Sequence, residues 1–105
     1  MLQLREITTK EYKDEISKEQ GLYVLVFHAL WCPPCKMFKH TLEEVVSKNN
    51  VPVYRVDVDA NQDLTAEFGV TSMPTWFIFK DGKQVQKGLG YMPHPTFELE
   101  LKKHM

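Results

Sequence analysis

The feature that most constrains the fold is a nearly unbroken apolar run at residues 22–27, followed within a few residues by a helical pattern. Its length and its β-branched and aromatic content are typical of a strand that is buried on both faces. Apolar residues then recur at helical spacing over residues 35–48, and Asn49 and Asn50 provide the stop. A strand of this kind, leading directly into a helix, predicts a sheet covered by helices.

The segments before and after this unit predict more alternating strands and helices. Residues 4–7 predict a short strand, and Thr8 and Glu11 have capping-box spacing ahead of a helix that reaches about Gln20 and stops at Gly21. Residues 51–59 predict a second buried strand, and residues 63–68 predict a short helix.

The carboxyl-terminal part of the chain predicts a hairpin and a last helix. Residues 75–79 and 83–89 flank Asp81 and Gly82, a strong hairpin signal, so these two strands are expected to be antiparallel. The Glu, Leu and Lys content after Pro95 favours a helix. The order of elements therefore predicts an α/β fold with a mixed sheet and helices on both faces.

The composition predicts one domain over residues 1–105 and excludes several classes of partner. Thirteen basic and 14 acidic residues leave a net charge of −1, with no basic cluster long enough to follow phosphates, so we expect no nucleic-acid partner. No apolar run approaches the length that spans a bilayer, and charged residues precede any apolar segment at the amino terminus. We therefore expect a cytoplasmic chain without a membrane partner, and a monomer, because no long apolar stripe demands a second copy.

Cys32 and Cys35 are the only cysteines, and they lie three residues apart at the start of the predicted helix. This spacing allows an intramolecular disulfide. The helix amino terminus stabilises a thiolate, which makes Cys32 the candidate nucleophile. Cys35 lies one turn further and is predicted to be more buried, to keep its proton longer and to act as the resolving thiol. The predicted chemistry is thiol–disulfide exchange through a mixed disulfide.

A static disulfide, or half of a zinc site, is the alternative interpretation of the cysteine pair. The extra zinc ligands would then be His28 and His40. A C-x-x-C motif beside a βαβ pattern, without a second cysteine pair, favours the redox function.

Several short motifs stand in a fixed order around the cysteines. They are residues 24–27, Trp31-Cys32-Pro33-Pro34-Cys35, residues 56–59, Gly69-Val70-Thr71-Ser72-Met73-Pro74-Thr75, residues 79–82 and Gly88-Leu89-Gly90. In these motifs nearly the whole chain resembles the thioredoxin family. The resemblance implies a thioredoxin fold with a central sheet of four or five strands, and a cis peptide bond between Met73 and Pro74.

The resemblance also implies how the chain would work. Cys32 would attack and Cys35 would resolve, without a bound cofactor or metal. Disulfide-containing proteins would be the substrates, and a thioredoxin-reductase-type protein would supply the electrons. The substrate would bind along the Met73 backbone by a short form of strand addition, and the residues around it would be Trp31, Met73, Pro74, Leu89 and Gly90.

The dipeptide between the cysteines departs from the family's usual Gly-Pro. Pro33 and Pro34 together remove two backbone donors and disfavour helical geometry at the preceding residues, so the helix is predicted to begin at Pro34. The N–H groups of Cys35 and Lys36 would remain for the Cys32 thiolate. We expect a stiffer site whose reduction potential differs from that of the usual motif and changes in a Pro33→Gly variant.

Two more positions depart from the family pattern. Val26 stands where the family commonly has a buried aspartate that helps to take the proton of Cys35, and Arg55 stands where a lysine often neighbours it. Val26 is therefore expected to slow the resolving step, unless Asp57 or a water substitutes. His28 replaces a frequent aromatic residue and is a candidate pH-dependent charge near Cys32; its alternative is a plain packing residue.

The two histidines of the carboxyl-terminal segment are expected to be solvated tail residues. These are His94 and His104.

The function predicted from the sequence is the reduction of protein disulfides. One alternative is a dedicated thiol reductase of the cytochrome-maturation type, in which the Trp-Cys-Pro-Pro-Cys motif also occurs. The other is a binding module that docks one partner through the surface around Trp31 and Pro74 and turns over slowly. Replacing both cysteines by serine would separate an enzyme from a docking subunit.

Overall fold

The computed structural model describes residues 3–105, and its centre is a five-stranded sheet in the order β1-β3-β2-β4-β5. The strands are β1 (Leu4–Glu6), β2 (Leu22–His28), β3 (Val53–Asp57), β4 (Thr75–Lys80) and β5 (Lys83–Leu89). β1, β3 and β2 run parallel, whereas β4 is antiparallel to both β2 and β5. The predicted α/β class with a mixed sheet is therefore confirmed, with five strands.

Within residues 3–105, three α-helices and one 3-10 helix connect the strands, and a fourth α-helix follows β5. They are α1 (Thr9–Asp14), the 3-10 helix Ile16–Lys18, α2 (Pro33–Asn49), α3 (Gln62–Glu67) and α4 (His94–Lys102). The predicted single helix from Thr8 to about Gln20 is wrong. Thr8 and Glu11 do form the capping box, but α1 ends at Asp14 and Glu15 leaves the helical conformation. This change of direction buries Ile16, whereas α1 itself buries no residue.

Alternate side chains of β2 face two separate parts of the core. Tyr23, Leu25 and Phe27 belong to a cluster that includes residues of the 3-10 helix and α3. Val24 and Val26 belong to a second cluster, which includes residues of α2 and α4. Helices therefore cover both faces, and β2 is buried on both sides, as its continuous apolar sequence predicts.

The strand register brings three chain segments to one edge of the sheet. β2 ends at His28, just before the amino terminus of α2, so the cysteines lie beyond the carboxyl end of this parallel strand. Thr75, the first residue of β4, pairs with Phe27 of β2 and with Leu89 of β5. The segment before β4 and the segment after β5 consequently flank the start of α2.

The structure corrects the predicted bounds of β3 and α2. β3 covers Val53–Asp57 and is shorter than the predicted 51–59. α2 begins at Pro33 and not at Pro34, because the first helical position needs no N–H donor and the fixed φ of proline suits it.

His94 is not a solvated tail residue, since it is buried at the start of α4 and its Nε2 lies 2.8 Å from Asn49 Oδ1 at the end of α2. The imidazole thereby joins two helices that both cover the same face of the sheet. Within residues 3–105, no helix has the length and apolar content that crossing a membrane requires.

Candidate active site

Cys32 and Cys35 form a disulfide at the amino terminus of α2, with their Cα atoms 5.3 Å apart. Cys32 is the N-cap residue, and its backbone is extended at φ −99° and ψ 108°. Its Sγ accepts a hydrogen bond from the backbone N–H of Cys35 at 3.3 Å. Pro33 and Pro34 occupy the first helical positions without donors. The Cys35 amide is therefore the backbone group that can stabilise negative charge on Cys32 sulfur.

The predicted contribution of Lys36 is not found. The backbone N–H of Lys36 donates to the Cys32 carbonyl oxygen at 3.2 Å, as in an ordinary helical turn, and not to Sγ. The predicted difference in burial is also small, because Cys32 is 4% exposed and Cys35 is 2% exposed. What distinguishes the two cysteines is their place in the helix, since only Cys32 holds the N-cap.

The segment before β4 contacts the disulfide. The Met73–Pro74 peptide bond is cis, as the family resemblance implies. The carbonyl oxygen of Met73 lies 3.6 Å from Cys32 Sγ, so a reduced Cys32 can donate its S–H to it. Gly90 N–H donates to the Pro74 carbonyl oxygen at 2.8 Å, with Gly90 at φ +88°. A positive φ of this kind favours glycine, so Gly90 fixes the loop through its backbone.

Apolar side chains are exposed around this loop. Trp31 and Leu89 are 64% and 62% exposed, so both offer apolar surface beside this loop. Met73 is partly buried against the core cluster of the 3-10 helix and α3. The elements that carry the predicted binding residues therefore converge beside the cysteines.

Asp59 is a site residue that the sequence reasoning missed. The indole N–H of Trp31 donates to Asp59 Oδ2 at 2.8 Å. Asp59 in turn donates its backbone N–H to Asp57 Oδ1 at 2.9 Å. Asp57 is the last residue of β3 and Asp59 lies two residues beyond it, so the available signal was their position at the carboxyl end of this strand.

Val26 and its neighbours form one row across the sheet, on the face covered by α2. Glu6 of β1 pairs in register with Arg55 of β3, and Arg55 pairs with Val26 of β2. Arg55 Nε donates to Glu6 Oε2, and His28 Nε2 lies 2.7 Å from Glu6 Oε1. Val26 itself is packed in the core at 1% exposure. The ionisable groups of this row therefore lie on β1 and β3, nearer the edge of the sheet than Val26.

Glu6 is held as a carboxylate by these contacts. Burial alone would raise the pKa of Glu6, but the hydrogen bonds from His28 and Arg55 outweigh burial and keep that pKa below its ordinary value. His28 is 3% exposed and its ring is bound to Glu6. It does, however, line a small cavity together with Cys35.

The zinc alternative receives no support from the histidines. The two cysteines are joined to each other, His28 is bound to Glu6, and exposed His40 lies 3.6 Å from Glu43. Within the described part of the chain, no group of three or more His, Cys, Asp or Glu side chains is placed to hold a metal ion.

Comparison with known proteins places these features in one family. The thioredoxin family model matches residues 3–103. A thioredoxin of Staphylococcus aureus is 34% identical over 101 residues, which cover 94% of this chain and 95% of that protein. A thioredoxin of Staphylococcus saprophyticus is 35% identical with the same coverage. A solved structure of a mutant thioredoxin from Halobacterium salinarum superposes with a TM-score of 0.89 at 25% identity, covering 97% of this chain and 90% of that one.

These similarities extend over nearly the whole chain and include both cysteines. The chain belongs to the thioredoxin family of thiol–disulfide oxidoreductases, and Cys32 and Cys35 are its redox-active pair.

Proposed function

We propose that this protein is a general reductant of protein disulfides in which Cys32 attacks the substrate and Cys35 resolves the mixed disulfide. The observation that carries this assignment is the N-cap position of Cys32, whose Sγ accepts the Cys35 N–H at 3.3 Å. A hydrogen bond to the sulfur and the helix dipole both favour the thiolate, which is the attacking species. Cys35 has no equivalent place, because it lies inside the first turn.

The reaction then follows from these two roles in the reduced protein. The Cys32 thiolate forms a bond to one substrate sulfur, and the other substrate sulfur leaves as a thiolate. Cys35 loses its proton and attacks Cys32 Sγ, which releases the second substrate thiolate and forms the Cys32–Cys35 disulfide. The Cα separation of 5.3 Å suits this product. Two electrons pass to the substrate, and no bound cofactor or metal is required.

The substrate would lie along the loop of Met73 and Pro74. The Met73 carbonyl oxygen is 3.6 Å from Cys32 Sγ, so backbone pairing at Met73 would bring a substrate sulfur to the attacking atom. The exposed Trp31 and Leu89 would cover apolar parts of an extended segment. A site made mainly of backbone and two apolar side chains selects little by sequence, which suits a general reductant.

The setting of the reaction is part of the same proposal. The protein would act as a single-domain monomer in the cytoplasm, where a thioredoxin-reductase-type protein would reduce the disulfide after each turnover. The curated thioredoxins that align along nearly their whole length support this setting.

The assignment of the two cysteines is tested by serine variants and a disulfide-containing protein substrate. Cys32→Ser is expected to abolish reduction and to form no mixed disulfide. Cys35→Ser is expected to attack once and remain covalently joined to the substrate, which gel electrophoresis without reductant detects. Trapping by Cys32→Ser instead would reverse the assignment. If a variant with both cysteines replaced by serine keeps its function with a partner protein, the docking module is favoured instead.

A further inference from the structure

A cavity of about 180 Å³ connects the resolving cysteine to buried His28 and Arg55, both of which bind the half-exposed Glu6. Cys35 lines it from α2, His28 from the end of β2 and Arg55 from β3, while Lys36 and Lys39 border it from α2. A space of this size holds several water molecules when polar groups surround it. A water chain can therefore join the Cys35 thiol to the His28 ring.

Glu6 determines which nitrogen of the His28 ring can accept a proton. The carboxylate of Glu6 can only accept hydrogen bonds, so His28 Nε2, 2.7 Å away, is the nitrogen that carries the proton. Whenever the ring is neutral, its lone pair therefore lies on Nδ1. Within residues 3–105, the His28 ring makes no second hydrogen bond, which leaves Nδ1 able to accept a proton.

We propose that His28 is the proton acceptor for Cys35 in the resolving step, acting through water in this cavity, and that Glu6 is the positioning residue that orients its ring. The proposal rests on Cys35 being the resolving thiol. The Cys35 S–H proton passes along the water to His28 Nδ1, and the thiolate attacks Cys32 Sγ as the substrate thiolate leaves. The imidazolium then returns the proton to solvent. His28 thereby takes over a task that apolar Val26 cannot perform.

The charges around the cavity favour this transfer. Arg55 and two lysines are cationic, and Glu6 is engaged by both Arg55 and His28. Asp57 of β3 pairs in register with His28 and is a second carboxylate beside the ring. The adjoining cavity adds Glu43 beside Lys39 and Arg55. Arg55 and the lysines on the cavity wall favour a thiolate at Cys35, while Glu6 stabilises the imidazolium.

A chromogenic aromatic disulfide separates the two steps in rapid mixing with the reduced protein. Attack by Cys32 releases the first coloured thiolate, and resolution by Cys35 releases the second. His28→Gln keeps an amide donor for Glu6 but cannot take a proton. We expect the first phase to be unchanged and the second to slow about tenfold or more at neutral pH, since a general base contributes about 10²–10⁴-fold.

The pH profile distinguishes a proton acceptor from a packing residue. In the unmodified protein, the second phase is expected to level off once the imidazole is neutral. In His28→Gln it is expected to keep rising with pH, because the thiol then ionises without help. Equal slowing of both phases, or an unchanged profile of the second, would overturn the proposal.

Control variants keep the test decisive. His40→Gln changes an exposed histidine of α2 that pairs with Glu43 and does not line this cavity, and it is expected to alter neither phase. Glu6→Gln tests the same pair of residues if His28→Gln does not fold, and it is expected to slow only the second phase; an unchanged second phase would refute the role of Glu6. Cys35→Ser must release a single thiolate, and release of two would refute the cysteine assignment itself.

Discussion

Trp31 is exposed and nevertheless held in place by a single side chain. Its indole N–H donates to Asp59 Oδ2 at 2.8 Å, so the ring keeps a fixed position beside the disulfide. A fixed aromatic surface loses less entropy when a substrate binds than a mobile one. We therefore expect Asp59 to affect substrate binding through Trp31.

We expect Asp59→Ala to raise KM for a protein disulfide about fivefold, in line with a net hydrogen-bond contribution of about 1 kcal/mol. Steady-state kinetics with a disulfide-containing protein measures this change. Asp59→Asn keeps an acceptor oxygen and is expected to stay near the unmodified KM. If Asp59→Ala has the same effect in a Trp31→Phe background, the hydrogen bond is not the cause.

How far individual residues could be predicted depended on the distance between partners in the sequence. The cysteine pair was predictable, because helix position and spacing are local properties of the chain. The partner of Trp31 lies 28 residues away and the partners of Glu6 lie 22 and 49 residues away, so only the sheet register brings them together. Sequence reasoning accordingly named His28 only as a candidate charge near Cys32, and the contact of its ring with Glu6 was not predicted.

Elements with a strong local pattern were predicted well. The hairpin signal at Asp81 and Gly82 correctly indicated β5, Lys83–Leu89, and its antiparallel pairing with β4. The helix after β1 was predicted too long, because the burial of Ile16 depends on the sheet beneath it and not on helix propensity. Tertiary contact also explains why the predicted exposure of His94 was wrong. From the start of α4, its ring contacts Asn49 at the end of α2.

The contact between β4 and β5 depends on the missing side chain of Gly88. A Cβ atom at this position would lie 2.0 Å from the ring of Trp76, which is 1% exposed and packs edge-on against Phe97 of α4. We expect Gly88→Ala to lower the free energy of unfolding by about 3 kcal/mol, because a packed core resists added volume. Urea denaturation, monitored by far-UV circular dichroism, measures this change in the free energy of unfolding.

Trp76→Leu provides the matched test of this packing. In the Gly88→Ala background, the smaller side chain is expected to recover part of the lost stability, although it is destabilising by itself. Strict additivity of the two effects would contradict direct contact as the cause.

The molecule as a whole is stabilised by carboxylates that are easier to ionise in the folded state. The pKa of Glu6 is lowered by His28 and Arg55 against the effect of burial. Side-chain hydrogen bonds lower the pKa of five more carboxylates, namely Asp14, Glu44, Asp63, Glu98 and Glu100. A lowered folded-state pKa contributes stability above the unfolded value, and this stability disappears as pH falls through the folded-state pKa.

We therefore expect the free energy of unfolding to decrease as pH falls below about 4.5, the ordinary pKa of glutamate. Urea denaturation at a series of pH values between neutrality and pH 3 measures the decrease. Glu6→Gln removes one contributing group, so its stability is expected to fall less steeply over the acidic range. A stability that stays constant down to about pH 3 would contradict the linkage.

The equilibrium reduction potential of the Cys32–Cys35 pair tests most directly whether the protein is a reductant. The purified protein is equilibrated with defined dithiol buffers, and free thiols are trapped and counted. We predict a potential below the cytosolic glutathione poise of roughly −220 to −260 mV, as required of a donor kept reduced by its own reductase. A potential near roughly −120 mV, typical of a strong disulfide oxidant, would contradict the proposed function.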